Sequence, residues 1–236
     1  MKISTSLIDV AILCGGNGTR LQELINDRPK PMAEINGQPF LDFLVQQVAC
    51  YGFRRFILCA GYKSTYIADY FKKQKNELTF VISEESFQMG TAGALANAKH
   101  LFKSNPVLVL NGDSYCHANL HQFLEFHTIK QAVGSIVLSS LKNPKNFGVI
   151  TINQQGQITR FNEKPQSTKS DTVNAGIYAL DKYAIADIPA GHCMSLETEL
   201  FPSLIQKGGV FGFPSKEELI DIGTPEQLEK AKKIFN

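Results

Sequence analysis

Neither sign of charge dominates this sequence, and it contains no long apolar run. Among its 236 residues, 24 Lys and Arg are balanced against 22 Asp and Glu, which leaves a net charge of +2. A chain without a basic surplus has no global field that would attract nucleic acid. The apolar run at residues 10–13 ends at glycines and is far too short to span a bilayer. We therefore expect no nucleic-acid partner and no membrane partner, and any phosphate binding must come from a local cluster of cations.

The sequence also lacks paired cysteines and a signal-peptide pattern. The cysteines are odd in number and form no C-x-x-C pair, and Cys50 and Cys59 lie in apolar segments that predict small core residues. Residues 1–9 hold one lysine and mostly polar residues, without an apolar core of signal-peptide length. A reducing cytoplasm is the simplest setting for such a chain, so we expect a cytoplasmic protein.

No internal repeat, low-complexity segment or long linker divides the chain, so we expect one domain over residues 1–236. Short apolar runs alternate with stretches of helical spacing. The predicted strands are 9–13, 56–60, 78–83, 107–111, 133–141, 148–152, 158–162, 173–180 and 209–213. The predicted helices are a short one ending near residue 25, then 40–51, 65–73, 92–101, 195–206 and 225–235. This alternation predicts an α/β fold, a Rossmann-like α/β/α sandwich with a mainly parallel mixed sheet and helices on both faces.

A glycine-rich segment, LCGGNGTRL at residues 13–21, follows the first predicted strand. Its glycines let the backbone approach a ligand closely, and successive amide N–H groups can hold phosphate oxygens. The segment is not a dinucleotide fingerprint, which needs a glycine where Leu21 stands, nor a P-loop, which needs one where Arg20 stands. A bare glycine turn explains the glycines alone. The permanent cation of Arg20 favours a phosphate-binding loop.

A second basic segment, RPKPM at residues 28–32, places Lys30 between two prolines. The prolines keep the segment stiff and extended, so Lys30 is presented with little conformational freedom to lose. A solvated loop charge is the ordinary interpretation of such a lysine. We favour a second phosphate-binding cation, because both segments follow the same strand and can share its carboxyl end.

Taken together, GGNGTRL at 15–21 and RPKPM at 28–32 resemble the paired motifs of the sugar-phosphate nucleotidyltransferases. The resemblance runs from Val10 to about Leu228, and it is strongest to the short, single-domain D-glycero-D-manno-heptose 1-phosphate guanylyltransferases. It implies that GTP condenses with the heptose 1-phosphate and releases pyrophosphate, with Mg²⁺ as cofactor, in the biosynthesis of a surface glycan. It further implies a nucleotide-binding half over residues 1–130 and a sugar-phosphate-binding half over residues 131–236.

Two aspartates are candidate magnesium ligands. Asp113 follows the apolar strand at 107–110, and Asp221 lies between apolar neighbours before a glycine turn. Ligands bind at the carboxyl ends of strands in open α/β sheets, and Mg²⁺ takes one or two carboxylates together with substrate phosphates. Taken singly, Asp113 is equally well explained as a turn residue and Asp221 as a helix-flanking one. The resemblance implies that both hold the metal.

The resemblance also implies roles for individual residues. Arg20 and Lys30 neutralise the triphosphate, Lys164 holds the incoming phosphate, and Asp113 completes the catalytic set. The implied nucleotide-binding residues are Leu13, Gly15, Gly16, Gly18, Thr19, Glu84, Gly90, Thr91 and Asn111. The implied sugar-binding residues are Gly148, Glu163 and Asn174.

Two of these residues carry more specific expectations. The side chain of Thr91 is predicted to cap a helix that begins at Ala92. Glu84 is predicted to accept hydrogen bonds from the ring N–H and amino group of guanine.

Several alternatives stay open at this point. Within the enzyme class they are a mannose 1-phosphate guanylyltransferase and a uridylyl- or cytidylyltransferase for another sugar 1-phosphate. A non-catalytic nucleotide-sugar-binding module would keep the pocket without turnover, although Arg20, Lys30, Asp113, Lys164 and Asp221 together argue against it. A nicotinamide enzyme is disfavoured by Leu21. The sequence leaves the choice between monomer and homodimer open.

Overall fold

The computed structural model describes residues 4–16, 18–21, 25, 27–74, 77–142, 144, 146–163, 165 and 170–235, except for the side chain of Thr19. The strands are β1 (Asp9–Leu13), β2 (Glu34–Ile35), β3 (Gln38–Pro39), β4 (Arg55–Ala60), β5 (Thr79–Glu84), β6 (Val107–Asn111), β7 (Ser114–Cys116), β8 (Gly134–Ser140), β9 (Val149–Ile152), β10 (Ile158–Asn162), β11 (Thr172–Leu180), β12 (Val210–Pro214) and β13 (Leu219–Asp221). The α-helices are α1 (Phe40–Cys50), α2 (Ser64–Lys72), α3 (Gly90–Ala98), α4 (Leu120–Ile129), α5 (Lys182–Ala186), α6 (Phe201–Gln206) and α7 (Pro225–Ile234). A π-helical turn, Leu196–Leu200, precedes α6, and short 3₁₀ turns cover Thr5–Leu7, Thr19–Leu21, Lys30–Met32 and Lys99–Leu101.

One large mixed sheet organises the molecule. Its strands run in the order β10-β9-β11-β6-β1-β4-β5, and β8 pairs with β11 and β12. Strands β6, β1, β4 and β5 form the parallel part of the sheet. The pairs of β11 with β6, β8 and β9 are antiparallel, as is the pair β9–β10, whereas β12 runs parallel to β8. The parallel part places the carboxyl ends of β1 and β6 side by side, at the edge where ligands bind in open α/β sheets.

Helices cover both faces of this sheet. In β1 the side chains alternate between two cores, because successive residues of a strand point to opposite faces. Val10 and Ile12 pack with residues of α1, α2, α4 and α7, whereas Ala11 packs with residues of α3, α5 and α6. The chain is therefore an α/β/α sandwich with a mixed central sheet, as the alternation of runs predicts.

The long strand β11 contains an irregularity that shapes the site. Its pairing with β8 shifts register between Asn174 and Tyr178. Gly176 lies inside this shift with φ +74°, a backbone conformation that favours glycine. The shift brings the side chains of Asn174 and Tyr178 to the same hydrogen-bond network.

Most predicted strands and helices are present, and their ends differ from the predicted ones by at most three residues. The short helix predicted to end near residue 25 falls partly outside the described residues, and 19–21 form a 3₁₀ turn. The predicted helix at 195–206 divides into the π-helical turn and α6. Sequence reasoning did not assign the short strands β2, β3, β7 and β13, nor α4 and α5. Cys59 is buried as predicted, but Cys50 is exposed because it ends α1 on the side away from the core. Across the described residues, no helix has the length and apolar character that crossing a membrane requires.

Candidate functional site

Two cavities meet at the carboxyl ends of β1 and β6. The smaller has a volume of about 250 Å³ and the larger about 400 Å³. Both are lined by Gly16, Lys30, Asn111 and Asp113. A ligand that filled both cavities would therefore pass Lys30 and Asp113 at their junction.

The smaller cavity lies between the glycine-rich segment and the start of α3. Its other lining residues are Leu13, Cys14, Gly15, Pro31, Glu85, Gln88, Gly90, Thr91 and Ala94. Gly90 has φ +69°, and a Cβ there would lie 2.5 Å from the carbonyl oxygen of Met194. Glycine is thus required at Gly90 both by the backbone conformation and by the close approach of another segment.

The hydroxyl of Thr91 has a different partner from the one predicted. Helix α3 begins at Gly90, two residues earlier than expected, so Thr91 lies inside the helix and is not its N-cap. Its Oγ1 donates to Glu197 Oε2 at 2.8 Å and accepts a hydrogen bond from the amide of Leu196 at 2.7 Å. Thr91 therefore links the wall of the smaller cavity to the π-helical turn before α6 through two hydrogen bonds.

Glu84 was predicted to contact the base, but its neighbour Glu85 is the glutamate that lines the smaller cavity. The carboxylate of Glu84 accepts a hydrogen bond from the Ser64 hydroxyl at 2.6 Å, and among the described residues it is Glu85 that lines the smaller cavity. A Cβ on Gly15 would collide with the Glu85 carboxylate. Burial raises the pKa of Glu85 above its usual value, against a weak opposing hydrogen bond from the Met89 amide. Glu84 is the last residue of β5, and because side chains alternate along a strand, a shift of one residue reverses the direction of the carboxylate.

Asp113 and Asp221 come together through a short two-stranded ribbon. Strand β13 pairs antiparallel with β7, and this register sets Asp221 opposite Ser114. The Ser114 hydroxyl lies 3.2 Å from Asp113 Oδ1 and 3.2 Å from Asp221 Oδ2. The Gly223 amide donates to Asp221 Oδ1 at 2.6 Å. Two aspartates more than a hundred positions apart in sequence thus share one hydroxyl.

The ammonium of Lys30 balances part of this negative charge. Its Nζ lies 2.6 Å from Asp113 Oδ2, and the Asp113 side chain is 36% exposed, towards the cavity. Burial alone would raise the pKa of Asp113, but the ammonium of Lys30 outweighs it and lowers that pKa below its usual value. Burial, followed by the charge of Asp113, raises the pKa of Asp221.

This donor set fits a hard divalent cation. Mg²⁺ prefers oxygen ligands and is usually bound through one or two carboxylates with substrate phosphates and water. Within the described ranges, no cluster of three or more His, Cys, Asp or Glu side chains is arranged to hold a metal. The carboxylates of Asp113 and Asp221 suit a metal that arrives with phosphate ligands of its own.

The larger cavity extends from this junction towards β9, β10 and β11. All three predicted sugar-binding residues line it, as do Arg20, Gly18 and Asp221. Its other lining residues are Ser114, Asn146, Phe147, Gly176, Glu197, Gly223 and Gln227. A Cβ on Gly148 would lie 2.7 Å from the Phe161 ring and 2.8 Å from Glu163 Oε2, so the chain passes closely over these side chains.

A buried tyrosine connects the walls of the two cavities. The Tyr178 hydroxyl accepts hydrogen bonds from the side-chain amides of Asn174 (2.7 Å) and Asn111 (3.3 Å), and it donates to Glu197 Oε1 at 3.4 Å. Burial raises the pKa of Tyr178 well above its usual value, so this hydroxyl stays protonated. Asn111 Oδ1 is buried and has no hydrogen-bond partner within the described residues. A buried polar atom of this kind needs a partner, and the residue that carries it lines both cavities.

Sequence reasoning missed several of these groups. Tyr178 was predicted only as part of a strand, and Ser114, Glu85 and Glu197 were not singled out. Ser114 stands next to Asp113, which is the one sequence signal that could have found it. Lys164 lies outside the described residues, as does the side chain of Thr19.

The chain is similar in sequence to known nucleotidyltransferases. Over 229 residues the chain is 32% identical to a mannose-1-phosphate guanylyltransferase of Mycobacterium tuberculosis, which covers 96% of this chain and 64% of that protein. It is 34% identical over 222 residues to the catalytic subunit beta of a mannose-1-phosphate guanylyltransferase of Xenopus tropicalis, covering 92% of this chain and 61% of that one. The chain thus spans about three-fifths of the length of these relatives.

Solved structures give a match over the full length. The crystal structure of HddC from Yersinia pseudotuberculosis superposes with a TM-score of 0.86 at 32% identity, covering 97% of this chain and all of that one. The same protein in complex with GMP-PN superposes with a TM-score of 0.85.

A family model described as nucleotidyl transferase matches residues 10–235. Its range includes both cavities and the ribbon that joins Asp113 to Asp221. This chain belongs to the nucleotidyl transferase family.

Proposed function

We propose that this protein condenses GTP with a sugar 1-phosphate, D-glycero-D-manno-heptose 1-phosphate, to give a GDP-sugar and pyrophosphate. The observation that carries the proposal is the junction of the two cavities at Lys30 and Asp113. One cavity suits a nucleoside and the other a sugar phosphate, and the reacting phosphates would meet between them. The names of the relatives support guanylyl transfer, and the full-length match to HddC, a structure determined with GMP-PN, supports a guanine nucleotide.

The reaction faces one main obstacle, which is the repulsion between two anions. A sugar phosphate dianion must approach a triphosphate with about four negative charges, and close like charges repel strongly in a partly dry site. Arg20 and Lys30 line the larger cavity from the glycine-loop side and would neutralise the triphosphate. Lys164 is proposed to hold the incoming phosphate.

The chain's own residues then act by positioning and by charge. The sugar phosphate oxygen attacks the α-phosphorus in line, and pyrophosphate leaves. This oxygen is already ionised, so the protein needs neither a nucleophile nor a general base. When bound by Asp113 and Asp221, Mg²⁺ supplies positive charge to the α-phosphate and polarises it.

Base selection is proposed to depend on Glu85. Its carboxylate lies in the smaller cavity, against the backbone of Gly15. Guanine presents a ring N–H and an amino group on the same edge, and an acceptor pair of this kind would bind both. Adenine presents no such pair of donors there, so a carboxylate at this position favours GTP over ATP.

Sugar selection is proposed to depend on the wall formed by Gly148, Glu163 and Asn174. Polar groups at this wall can bind hydroxyls, and a site that binds a hydroxyl discriminates strongly against a substrate without it. A mannose 1-phosphate is the second candidate, because two of the named relatives act on it.

The test is pyrophosphate release by the purified protein with Mg²⁺. GTP, UTP, CTP, ATP and dTTP are each paired with heptose, mannose, glucose and N-acetylhexosamine 1-phosphates. Release with GTP and the manno-heptose phosphate alone supports the proposal. Release with GTP and mannose 1-phosphate replaces the sugar but keeps the mechanism.

Two further outcomes would replace the proposal. Turnover with another base would assign a uridylyl-, cytidylyl- or other nucleotidyltransferase. Saturable nucleotide binding without release across the whole panel would assign a non-catalytic binding module.

The mass of the purified protein in solution decides between monomer and homodimer. A cytoplasmic location is also part of the proposal, since the cysteines are all free and cytoplasm supplies nucleoside triphosphates.

A further inference from the structure

The ammonium of Lys30 lies directly beside the two carboxylates proposed to hold the metal. Its Nζ is 2.6 Å from Asp113 Oδ2, and its side chain is only 14% exposed. On the other side, Nζ is 3.4 Å from the position that a Cβ would occupy on Gly223, whose amide binds Asp221. Lys30 thus sits at the carboxylate pair and does not extend freely into the larger cavity.

The backbone around Lys30 directs the side chain to this place. Lys30 begins a 3₁₀ turn whose next two residues, Pro31 and Met32, are buried. Gly18, with φ +58°, packs so closely that a Cβ there would lie 2.8 Å from the Lys30 Cβ. The stem of the lysine is therefore held between the glycine loop and a fixed turn, and its charged end has a short range of positions.

An ammonium beside a carboxylate oxygen opposes the binding of a metal ion to the same oxygen. Magnesium binds its oxygen ligands at about 2.0–2.1 Å and would repel an ammonium at hydrogen-bond distance from the same atom. In the proposed reaction Lys30 binds the triphosphate, so we expect its ammonium to move from Asp113 towards the phosphates when the nucleotide enters. The ammonium and the metal therefore exchange partners.

We propose that Lys30 serves as the counter-ion of Asp113 and Asp221 in the free protein and releases them only when the metal arrives with the nucleotide. The phosphates then bind the ammonium of Lys30 while the two carboxylates bind the metal. Each charged group therefore has a partner of opposite charge both before and after the exchange. A divalent cation without nucleotide competes with Lys30 and binds weakly. This inference rests on the proposed function, because it uses the same two aspartates as metal ligands.

The competing explanation is a salt bridge that only stabilises the fold. The two explanations differ in what removal of the ammonium does to the carboxylates. If Lys30 blocks the metal, its neutral variant binds a divalent cation more tightly. If the salt bridge is only structural, the same variant is less stable but binds the cation no better.

The experiment measures Mn²⁺ binding by electron paramagnetic resonance of the free ion and by water-proton relaxation enhancement. Five proteins are compared: wild type, Lys30→Gln, Lys72→Gln, Asp113→Asn, and Lys30→Gln combined with Asp113→Asn. Glutamine keeps a hydrogen-bond donor but removes the charge. Lys72 ends α2 and is exposed, so its variant controls for the loss of one positive charge. Each titration is run with Mn²⁺ alone and with Mn²⁺ plus GTP, without a sugar phosphate.

We expect Lys30→Gln to bind Mn²⁺ alone at least about 10-fold more tightly than wild type, the scale of losing one close repulsion. Lys72→Gln should bind Mn²⁺ as wild type does. Adding Asp113→Asn to Lys30→Gln should remove the increase in Mn²⁺ affinity. If Lys30→Gln binds no better, while Asp113→Asn still removes the relaxation enhancement seen with GTP, the counter-ion inference is wrong and the proposed metal site stands. If Asp113→Asn changes Mn²⁺ binding under neither condition, the proposed metal site is wrong, and the inference fails with it.

Discussion

At the scale of single residues, the site is built from charges that are only partly paired. Asp113 is held by Lys30 and Ser114, and Asp221 by Ser114 and the Gly223 amide. Arg20 is exposed at the wall of the larger cavity. Charges held in place before the substrate arrives stabilise a transition state without reorganisation at the moment of reaction.

Removing one of these charges should lower turnover strongly. Loss of one preorganised electrostatic group costs about 100-fold to 1,000-fold in kcat, so we expect Arg20→Ala and Asp113→Ala each to lose at least about 100-fold. The measurement is pyrophosphate release at saturating substrates, with Lys72→Ala as the control for charge. A rate near that of the wild type in either variant would contradict the proposed catalytic set.

The pair of adjacent glutamates offers a matched test of base selection. Glu85→Gln keeps the size of the side chain but replaces an acceptor oxygen with a donor, so we expect kcat/KM for GTP to fall about 10-fold to 100-fold and the preference over ATP to shrink. Glu84→Gln, whose carboxylate binds Ser64 instead, should leave the GTP/ATP ratio unchanged. If both variants change the ratio equally, the role proposed for Glu85 is wrong.

At the scale of elements, the site depends on segments that are distant in sequence and joined by side chains. The start of α3 is held against residue 194 by amides of Ala92 and Gly93, which donate to the Met194 carbonyl at 2.9 and 3.1 Å. The register shift in β11 and the π-helical turn bring Tyr178 to Glu197. The register shift and the π-helical turn each position a polar group that a regular strand or helix would direct elsewhere.

The Tyr178 hydroxyl tests how much this network contributes. Tyr178→Phe keeps the ring packed against Phe201 but leaves the amides of Asn111 and Asn174 without their acceptor. Buried polar groups without partners cost about 1–3 kcal/mol, so we expect the free energy of unfolding to fall by that amount. Urea unfolding measures it, and Tyr183→Phe, at a side chain 67% exposed, is the control. Equal stability of Tyr178→Phe and wild type would show that the network does not stabilise the fold.

At the scale of the whole molecule, α4 is coupled to the central sheet through a buried histidine. His127 is 5% exposed, and its Nδ1 lies 2.9 Å from the Ser135 hydroxyl in β8. Burial lowers the pKa of His127 from 6.5 to about 4, against a smaller opposing effect of Asp181. The folded protein therefore keeps this imidazole neutral at pH values where the unfolded chain protonates it.

Acid should destabilise the protein through this residue. Between about pH 6.5 and pH 4 the unfolded chain binds more protons than the folded one, so the free energy of unfolding falls as the pH falls, by up to about 3 kcal/mol from His127. In His127→Gln this part of the pH dependence should be absent. Urea unfolding between pH 4 and pH 7 measures it, with the exposed His121→Gln as the control. An unchanged pH profile in His127→Gln would contradict the role of burial here.

The alternation of strands and helices, and the two segments proposed to bind phosphate, could be predicted from the sequence alone. Local apolar runs such as 9–13 and 107–111 predict buried strands, because a strand buried in a sheet needs apolar side chains. The glycines and prolines around Arg20 and Lys30 act on their own backbone, so their effect is also local.

Only the tertiary structure decided which of these residues face one another. That Asp221 meets Asp113 follows from the register of β13 with β7, and that Glu85 rather than Glu84 lines the smaller cavity follows from where β5 ends. Thr91 bonds to Glu197 because α3 starts two residues early and packs on residue 194. Strand register, element ends and packing are properties of the folded chain, because long-range contacts fix them and local sequence patterns carry little information about them.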